Sequence, residues 1–173
     1  FDSVIYGKPT DGNAAYTITT SDGSGNTAMY AIRDEIQDFS KLPFYAKTGV
    51  IMKVTGEEGD ELSDYYVKFS GKSGVWNETL APATSLGVTN STMPHALINN
   101  NNGTFTFQEL AWTDRVCGDA DSNPNPTFIG RKINNLTYYK NRLGILSGEN
   151  LVLTENASFF NYFATTSTQV LDT

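Results

Sequence analysis

Short apolar segments rich in aromatic and β-branched residues alternate along the chain with clusters of Gly, Asn, Asp and Ser. Such segments favour strands and such clusters favour turns, so the pattern predicts a mainly β fold with antiparallel sheets and hairpins. Trp76 should anchor the buried face of one hairpin. The predicted strands are Val4–Tyr6, Ala15–Thr20, Val50–Val54, Tyr65–Phe69, Val75–Thr79, Ala96–Ile98, Thr104–Leu110, Ile133–Lys140, Arg142–Leu146 and Leu151–Thr154.

One segment has the period of an α-helix instead. The apolar residues that recur there at intervals of three, four and three are Met29, Ile32, Ile36 and Phe39. This spacing would place them on one helix face. Thr27 or Asn26 would supply the N-cap, and Leu42-Pro43 would end the helix, because a residue before proline is disfavoured in the helical region. The sequence therefore predicts the α+β class, mainly β with short helices.

Three regions follow from this order of elements. We expect strands and a short helix over residues 1–41, and an antiparallel hairpin region over residues 42–117. Residues 118–173 should form a loop followed by the first strands of a truncated propeller-like domain. The loop contains the sequence GDADSNPNP, in which two prolines lack backbone donors and the Asx residues favour turns.

The composition limits the functional classes. The chain of 173 residues is 39% hydrophobic, which is enough for a core, and carries a net charge of −7. Tight nucleic-acid binding needs clustered Lys and Arg, and the basic residues here are dispersed. The apolar runs are too short to cross a bilayer. The chain begins at Phe1 with no signal-peptide pattern, so we expect a piece of a longer protein.

Two residues with reactive side chains lack local partners. His95 is the single histidine, and we interpret it as fixing a turn after Pro94. Cys117 is the single cysteine, which fits a reducing compartment, and its apolar neighbour Val116 indicates a small buried side chain. A nucleophilic pair of Cys117 with His95 has no supporting motif around either residue.

The acidic residues likewise form no complete site motif. Asp119, Asp121 and Asn123 match the first half of a calcium-binding loop, but Pro124 and Gly130 stand where that loop needs Gly and Glu. Turn formation by the Asx side chains is the better interpretation. The carboxylates that a glycosidase could use in pairs include Glu109, Asp114, Asp119 and Glu149. We predict no catalytic, cofactor-binding or metal-binding residue.

Several motifs between about Phe39 and about Thr165 carry a resemblance to a known family. They are FSKLP from Phe39, DYYVK from Asp64, VWNET from Val75, MPHAL from Met93, CGD from Cys117, NP at Asn123, FIG from Phe128, NRLGILSGEN from Asn141, and the aromatic residues from Phe159 to Phe163. Together they resemble the tail nozzle proteins (tail tubular protein B) of short-tailed bacteriophages, the podoviruses. The segment from Asn141 is similar to the family's NRLGFLSGEN and departs from it at Ile145. Residues 1–38 match poorly.

This resemblance implies a structural protein of the virion, without enzymatic activity or cofactor, made in the cytoplasm of the host bacterium. It would self-associate as a ring, a hexamer in the family, next to the tail adaptor protein and the tail fibres. Double-stranded DNA would leave through this ring without tight binding, which suits an acidic chain because a lumen of like charge repels phosphates. We expect Arg142 to hold a turn through bonds to carbonyl groups or to a carboxylate such as Glu149.

Two other functional classes remain open on the residues alone. A tail-associated hydrolase of host polysaccharide or cell wall would need a pair of carboxylates in a groove. A glycan-binding module would use some of the nine Tyr, ten Phe and two Trp as stacking platforms. Core packing accounts for most of these aromatic residues equally well.

Overall fold

A computed structural model describes Ile5, Gly7, residues 17–23, Met29, residues 31–56 and residues 64–168. The strands of this part are β1 (Glu35–Ile36), β2 (Ile51–Val54), β3 (Tyr65–Ser70), β4 (Val75–Thr79), β5 (Ala96–Asn99), β6 (Phe105–Gln108), β7 (Asn135–Tyr139), β8 (Arg142–Ser147) and β9 (Asn150–Leu153). Two short 3-10 helices span Phe39–Lys41 and Asn90–Thr92. The prediction of a mainly β fold built from antiparallel sheets and hairpins is confirmed.

The first sheet has the strand order β1-β2-β3-β4. Strands β2, β3 and β4 are antiparallel neighbours, and alternate positions on one face are apolar, as in Met52 opposite Val67. These side chains form a core with Val54 and Leu42. The Trp76 ring packs edge-on against Phe69 and its Nε1 donates to the carbonyl oxygen of Pro43 at 2.9 Å. Trp76 therefore anchors the hairpin, as the sequence predicts.

The helix predicted through Met29 and Phe39 was wrong. Asp34 has a φ of 59°, and β1 then runs parallel to β2. The amide of Lys53 donates to the carbonyl oxygen of Asp34, and the amide of Thr55 donates to that of Ile36, each at 3.0 Å. The open edge of β2 thus competes for the backbone groups that a helix would have used internally. Ile36 still reaches the core, but in a strand.

Leu42 keeps the role that the sequence assigns to it, because its extended conformation ends the 3-10 helix before Pro43. The proposed capping residues Thr27 and Asn26 lie outside the described residues. So does the predicted strand Val4–Tyr6, apart from Ile5. Of the predicted strand Ala15–Thr20, residues 17–20 are described and do not lie in a strand.

A second core lies beneath the three-stranded antiparallel sheet β7-β8-β9. Met93, Trp112, Phe128 and Ile145 form it, and Val88, Leu110, Ile129, Ile133, Val152 and Tyr162 pack around them. Ile145 is the position at which the chain departs from the family motif, and its side chain is fully buried. An apolar residue is therefore required there, and both Ile and Phe satisfy that requirement.

Gly144, beside Ile145, is held to glycine by packing on the other face of the same sheet. A Cβ atom there would lie 2.5 Å from Thr137 Cγ2 and 3.0 Å from Leu153 Cδ2. Thr137 lies opposite Gly144 on β7, and Leu153 lies opposite it on β9. Because Gly144 has no side chain, the side chains of Thr137 and Leu153 can pack over the middle strand.

Candidate functional site

His95 lies in the irregular segment between the 3-10 helix Asn90–Thr92 and strand β5. Its Nδ1 lies 2.8 Å from the carbonyl oxygen of Met93, a contact that requires the proton on Nδ1. Its ring stacks on Phe107, with ring centres 5.1 Å apart and planes inclined by 14°. The histidine therefore joins the segment before β5 to strand β6, which is a structural role.

Cys117 is buried and makes contacts of its own, separate from those of His95. Its Sγ donates to the carbonyl oxygen of Ala164 at 3.2 Å. Burial raises the pKa of the Cys117 thiol, so it is protonated at neutral pH and is a poor nucleophile. The interpretation of Cys117 as a small buried side chain is confirmed.

The segment that resembles half of a calcium loop is a hydrogen-bonded turn. Asp119 Oδ1 accepts from the amides of Asp121 and Ser122, at 3.0 and 2.8 Å, and from the Ser122 hydroxyl at 2.8 Å. Burial raises the pKa of Asp119, but these hydrogen bonds outweigh it, and the net pKa lies below its ordinary value. Asn123 points elsewhere, because its amide pairs with the backbone of Ala164. Turn formation is thus the role of this segment.

The most elaborate group of polar side chains surrounds Arg115, which the sequence did not single out. Arg115 is only 2% exposed. Its Nε donates to the carbonyl oxygen of Asn123 and its Nη1 to that of Ser85, each at 2.6 Å. Its Nη2 donates to Asn125 Oδ1 at 3.0 Å, and its Cζ lies 4.7 Å from the centre of the Phe163 ring. One guanidinium thus joins three separate segments of the chain, at residue 85, at residues 123–125 and at residue 163.

The acceptors in this Arg115 network are neutral, which is unusual for a buried cation. Burial lowers the pKa of Arg115, and the negative charge of Asp119 opposes that shift. A guanidinium remains protonated in proteins, so the charge stays and is stabilised by carbonyl dipoles and the aromatic ring. Asn123 extends the network, because its Nδ2 donates to the carbonyl oxygens of Cys117 at 3.1 Å and Ala164 at 3.0 Å. The network fixes the backbone and leaves no free reactive group.

A second clamp ties strand β4 to the segment after Phe163. Glu78 accepts from the Thr166 hydroxyl at 2.8 Å and from the Ser167 amide at 2.5 Å. Arg142 acts similarly in the third sheet, because its Nη1 lies 3.4 Å from the carbonyl oxygen of Thr154. A carbonyl was one of the two kinds of partner predicted for Arg142.

The carboxylates considered for hydrolysis do not stand out as a site. Glu109, Asp114 and Glu149 are exposed, and Asp119 belongs to the turn described above. Within the described ranges, no three His, Cys, Asp or Glu side chains are grouped so that they could hold a metal ion. None of the helices in the same part of the chain has the length and apolar character needed to cross a bilayer.

The hairpin β5-β6 carries the most exposed set of large apolar side chains on one short element. Leu97 lies opposite Phe107 and Asn99 lies opposite Phe105, so these four side chains share one face. Leu97, Phe105 and Phe107 are 67%, 61% and 70% exposed. In the described part of the chain, β5 and β6 pair only with each other. Such a surface is typical of a contact with another protein surface.

Comparison with known proteins gives a matching family and a similar protein. The sequence profile of the bacteriophage nozzle protein family matches residues 1–173. Tail tubular protein gp12 of Escherichia phage T7 is 40% identical to the chain over 147 residues, which cover 85% of the chain and 18% of the phage T7 protein. The chain therefore spans less than a fifth of the length of this relative.

Proposed function

The chain belongs to the bacteriophage nozzle protein family, and we propose on this basis that it is a structural part of a phage tail. The match of the family profile to residues 1–173 carries the proposal. The structure supports it through the kind of roles its polar side chains have. His95, Asp119 and Arg115 all fix backbone segments.

The tail component would act as part of the wall of the distal tail tube. In this proposal the full-length protein self-associates as a ring, a hexamer, that contacts the tail adaptor protein and the tail fibres. It is made in the cytoplasm of the host bacterium and ends in the virion. An exposed apolar hairpin on an otherwise charged chain supports assembly, because large apolar patches mark contact surfaces.

Double-stranded DNA would pass through the ring without binding tightly. The net charge of −7 supports this, because affinity for phosphates comes mainly from Lys and Arg and the release of their counterions. Fluorescence anisotropy with a labelled duplex at physiological salt tests it. We expect no saturable binding, and tight binding with a steep salt dependence would contradict this part of the proposal.

We also propose that the protein has no catalytic function. The support is that Cys117 is held as a protonated thiol and that three of the four carboxylates considered above are exposed.

The sheet β7-β8-β9 would open a larger β-domain, resembling the first strands of a propeller. Its two outer strands support this, since each has one described neighbour and leaves the other edge open.

Electron cryomicroscopy of the full-length protein, alone and in the tail of the intact virion, tests the proposal. We expect a ring with a central channel wide enough for duplex DNA and with residues 64–168 in its wall. A soluble monomer that is absent from the tail would overturn the proposal. Incubation with labelled host polysaccharide and peptidoglycan is the companion assay, and turnover that is lost when one carboxylate is replaced would show that the protein is an enzyme.

A further inference from the structure

The hairpin β5-β6 lies in a long uncharged part of the sequence. Residues 79–108 contain no Asp, Glu, Lys or Arg, whereas the whole chain has 12 basic and 19 acidic residues. Charged residues are depleted and aromatic residues enriched at the centres of protein interfaces. The uncharged stretch and the exposed apolar face of the hairpin thus coincide on one element.

The tip of the hairpin is fixed before any partner binds. Asn100 Nδ2 donates to the hydroxyls of Thr104 and Thr106, each at 3.0 Å. Asn99 Oδ1 accepts from the amide of Asn101 at 2.9 Å, and Asn102 Oδ1 accepts from the amide of Thr104 at 3.0 Å. A surface ordered in advance loses less conformational entropy on binding.

The apolar face is also supported at Phe107, one of its two aromatic residues. The His95 ring stacks on Phe107 and is itself held by its bond to the Met93 carbonyl group. An isolated two-stranded hairpin is marginally stable in water. A partner that covers one face would therefore stabilise this hairpin. That face is formed by Leu97, Asn99, Phe105 and Phe107.

We propose that this face of the β5-β6 hairpin contacts the adjacent copy of the same protein in the ring. The inference rests on the self-association proposed above. The 173 residues carry a net charge of −7, and like-charged surfaces of this part in neighbouring copies repel one another, so a contact made by this part is least costly where its surface carries no charge. DNA does not fit the face, because the hairpin offers no Lys or Arg to phosphates.

The contact must join two different surfaces, since a ring of identical copies closes only through head-to-tail interfaces. The hairpin of one copy therefore meets a surface on its neighbour other than the same hairpin. The aromatic side chains Phe105 and Phe107 supply the anchors of the contact, which is the usual role of large aromatic residues at interface centres.

Photo-crosslinking of the purified full-length protein tests this. A benzophenone amino acid is placed at Phe107 and, as a matched control, at Phe44, which is 91% exposed and lies outside the hairpin. We expect irradiation to give a covalent dimer on denaturing gels for the Phe107 probe and none for the Phe44 probe. If the face contacts another part of the same copy, the probe will crosslink within one chain and no dimer band will appear on the gel. That outcome overturns the proposal.

Charge substitution gives a second measurement. Phe107→Asp places a carboxylate on the apolar face, and Gln108→Asp places one at the next position, on the opposite face of the hairpin. Because the first variant would bury an unpaired charge, we expect its dissociation constant for assembly to rise by on the order of 100-fold in sedimentation velocity. Gln108→Asp should assemble normally, and both variants should keep the wild-type circular dichroism spectrum.

The outcomes separate this inference from the proposed function. Rings that persist in Phe107→Asp, with no dimer from the Phe107 probe, overturn the hairpin contact and leave the tail role standing. A wild-type protein that forms no ring and is absent from virions overturns both. A Phe107→Asp protein that loses its folded spectrum also counts against the contact, because the face would then belong to the core of a single copy.

Discussion

Replacing Arg115 by Ala should loosen the part of the structure that joins Ser85, Asn123 and Phe163. The substitution leaves two carbonyl oxygens, each 2.6 Å from a guanidinium nitrogen, without their donors. An unsatisfied buried acceptor costs about 1–3 kcal/mol, and the lost contact with the Phe163 ring adds roughly 0.5–2 kcal/mol. Removal of a buried charge offsets part of this loss. We expect a net loss of local stability of about 3 kcal/mol.

Hydrogen exchange of the full-length protein measures this loss where it occurs. A change of about 3 kcal/mol corresponds to roughly 100-fold less protection in exchange limited by local opening. The effect should appear at the amides of Asn123 and Ala164, which bond to the Asp119 carbonyl oxygen and to Asn123 Oδ1. The first sheet should keep its protection, since its core is formed by other residues.

Two further variants distinguish the effect of the positive charge at residue 115 from the effect of the guanidinium geometry. Arg115→Lys keeps the cation but cannot reach three acceptors at once, so its loss of protection should be intermediate. Arg131→Ala removes an exposed guanidinium and should change nothing near Asn123. Wild-type protection in Arg115→Ala, or equal loss in Arg131→Ala, would refute the view that the Arg115 network holds these segments together.

Three further predictions concern single positions. Gly144→Ala should lower stability by about 1–3 kcal/mol in denaturant unfolding, because the new Cβ would meet Thr137 Cγ2 at 2.5 Å; unchanged stability would contradict the close packing. The lowered pKa of Asp119 stabilises the fold above its unfolded pKa of about 3.9, and this stability is lost as pH falls through the folded pKa. Melting temperature should therefore depend less on acid pH in Asp119→Asn. Trp76→Phe keeps the ring contact but loses the bond to Pro43 and should cost about 1 kcal/mol by thermal unfolding.

The sequence predicted strands best where buried and exposed positions alternate. In β2 and β3 the buried residues alternate with more exposed ones, and the turn between β3 and β4 is marked by two glycines. Local pattern determines both features, so the hairpin with Trp76 was found. The strand pairs of the second and third sheets were found from a different local feature, the short polar turn that joins each pair.

The failed helix shows what a local pattern cannot contain. Ile32 and Ile36 fit a helical face, and both do pack on the first core. The spacing of apolar residues therefore indicated the burial of these two residues but not the backbone conformation, and the other two residues of that face, Met29 and Phe39, are exposed. The deciding partner is the edge of β2, which lies more than ten residues further along the chain and whose amides bond to Asp34 and Ile36. The periodicity of a short segment contains no information about a strand that lies so far along the chain and competes for its backbone hydrogen bonds.

The Arg115 network is the feature that could least be predicted from the sequence. Arg115 lies between Asp114 and Val116, a context that reads as an ordinary surface position. Its partners come from residues 85, 123, 125 and 163, and they contribute mainly carbonyl groups that every residue possesses. A site made of backbone acceptors leaves no signature in residue types. Only the fold brings them together.

The chain combines an acidic net charge with an exposed hairpin that carries no charge. In the proposed ring, acidity would repel both DNA and neighbouring copies, so the ring would need repulsion at its lumen and attraction between its subunits. Confining attraction to a surface without charges meets both needs, because apolar contact is unaffected by the sign of the surrounding field. The Glu78 clamp fixes strand β4, which leads into residues 79–108, and the Arg115 network fixes the irregular segment that follows them. In the proposed ring, rigid support of this kind would let a small apolar face define the position of the next subunit.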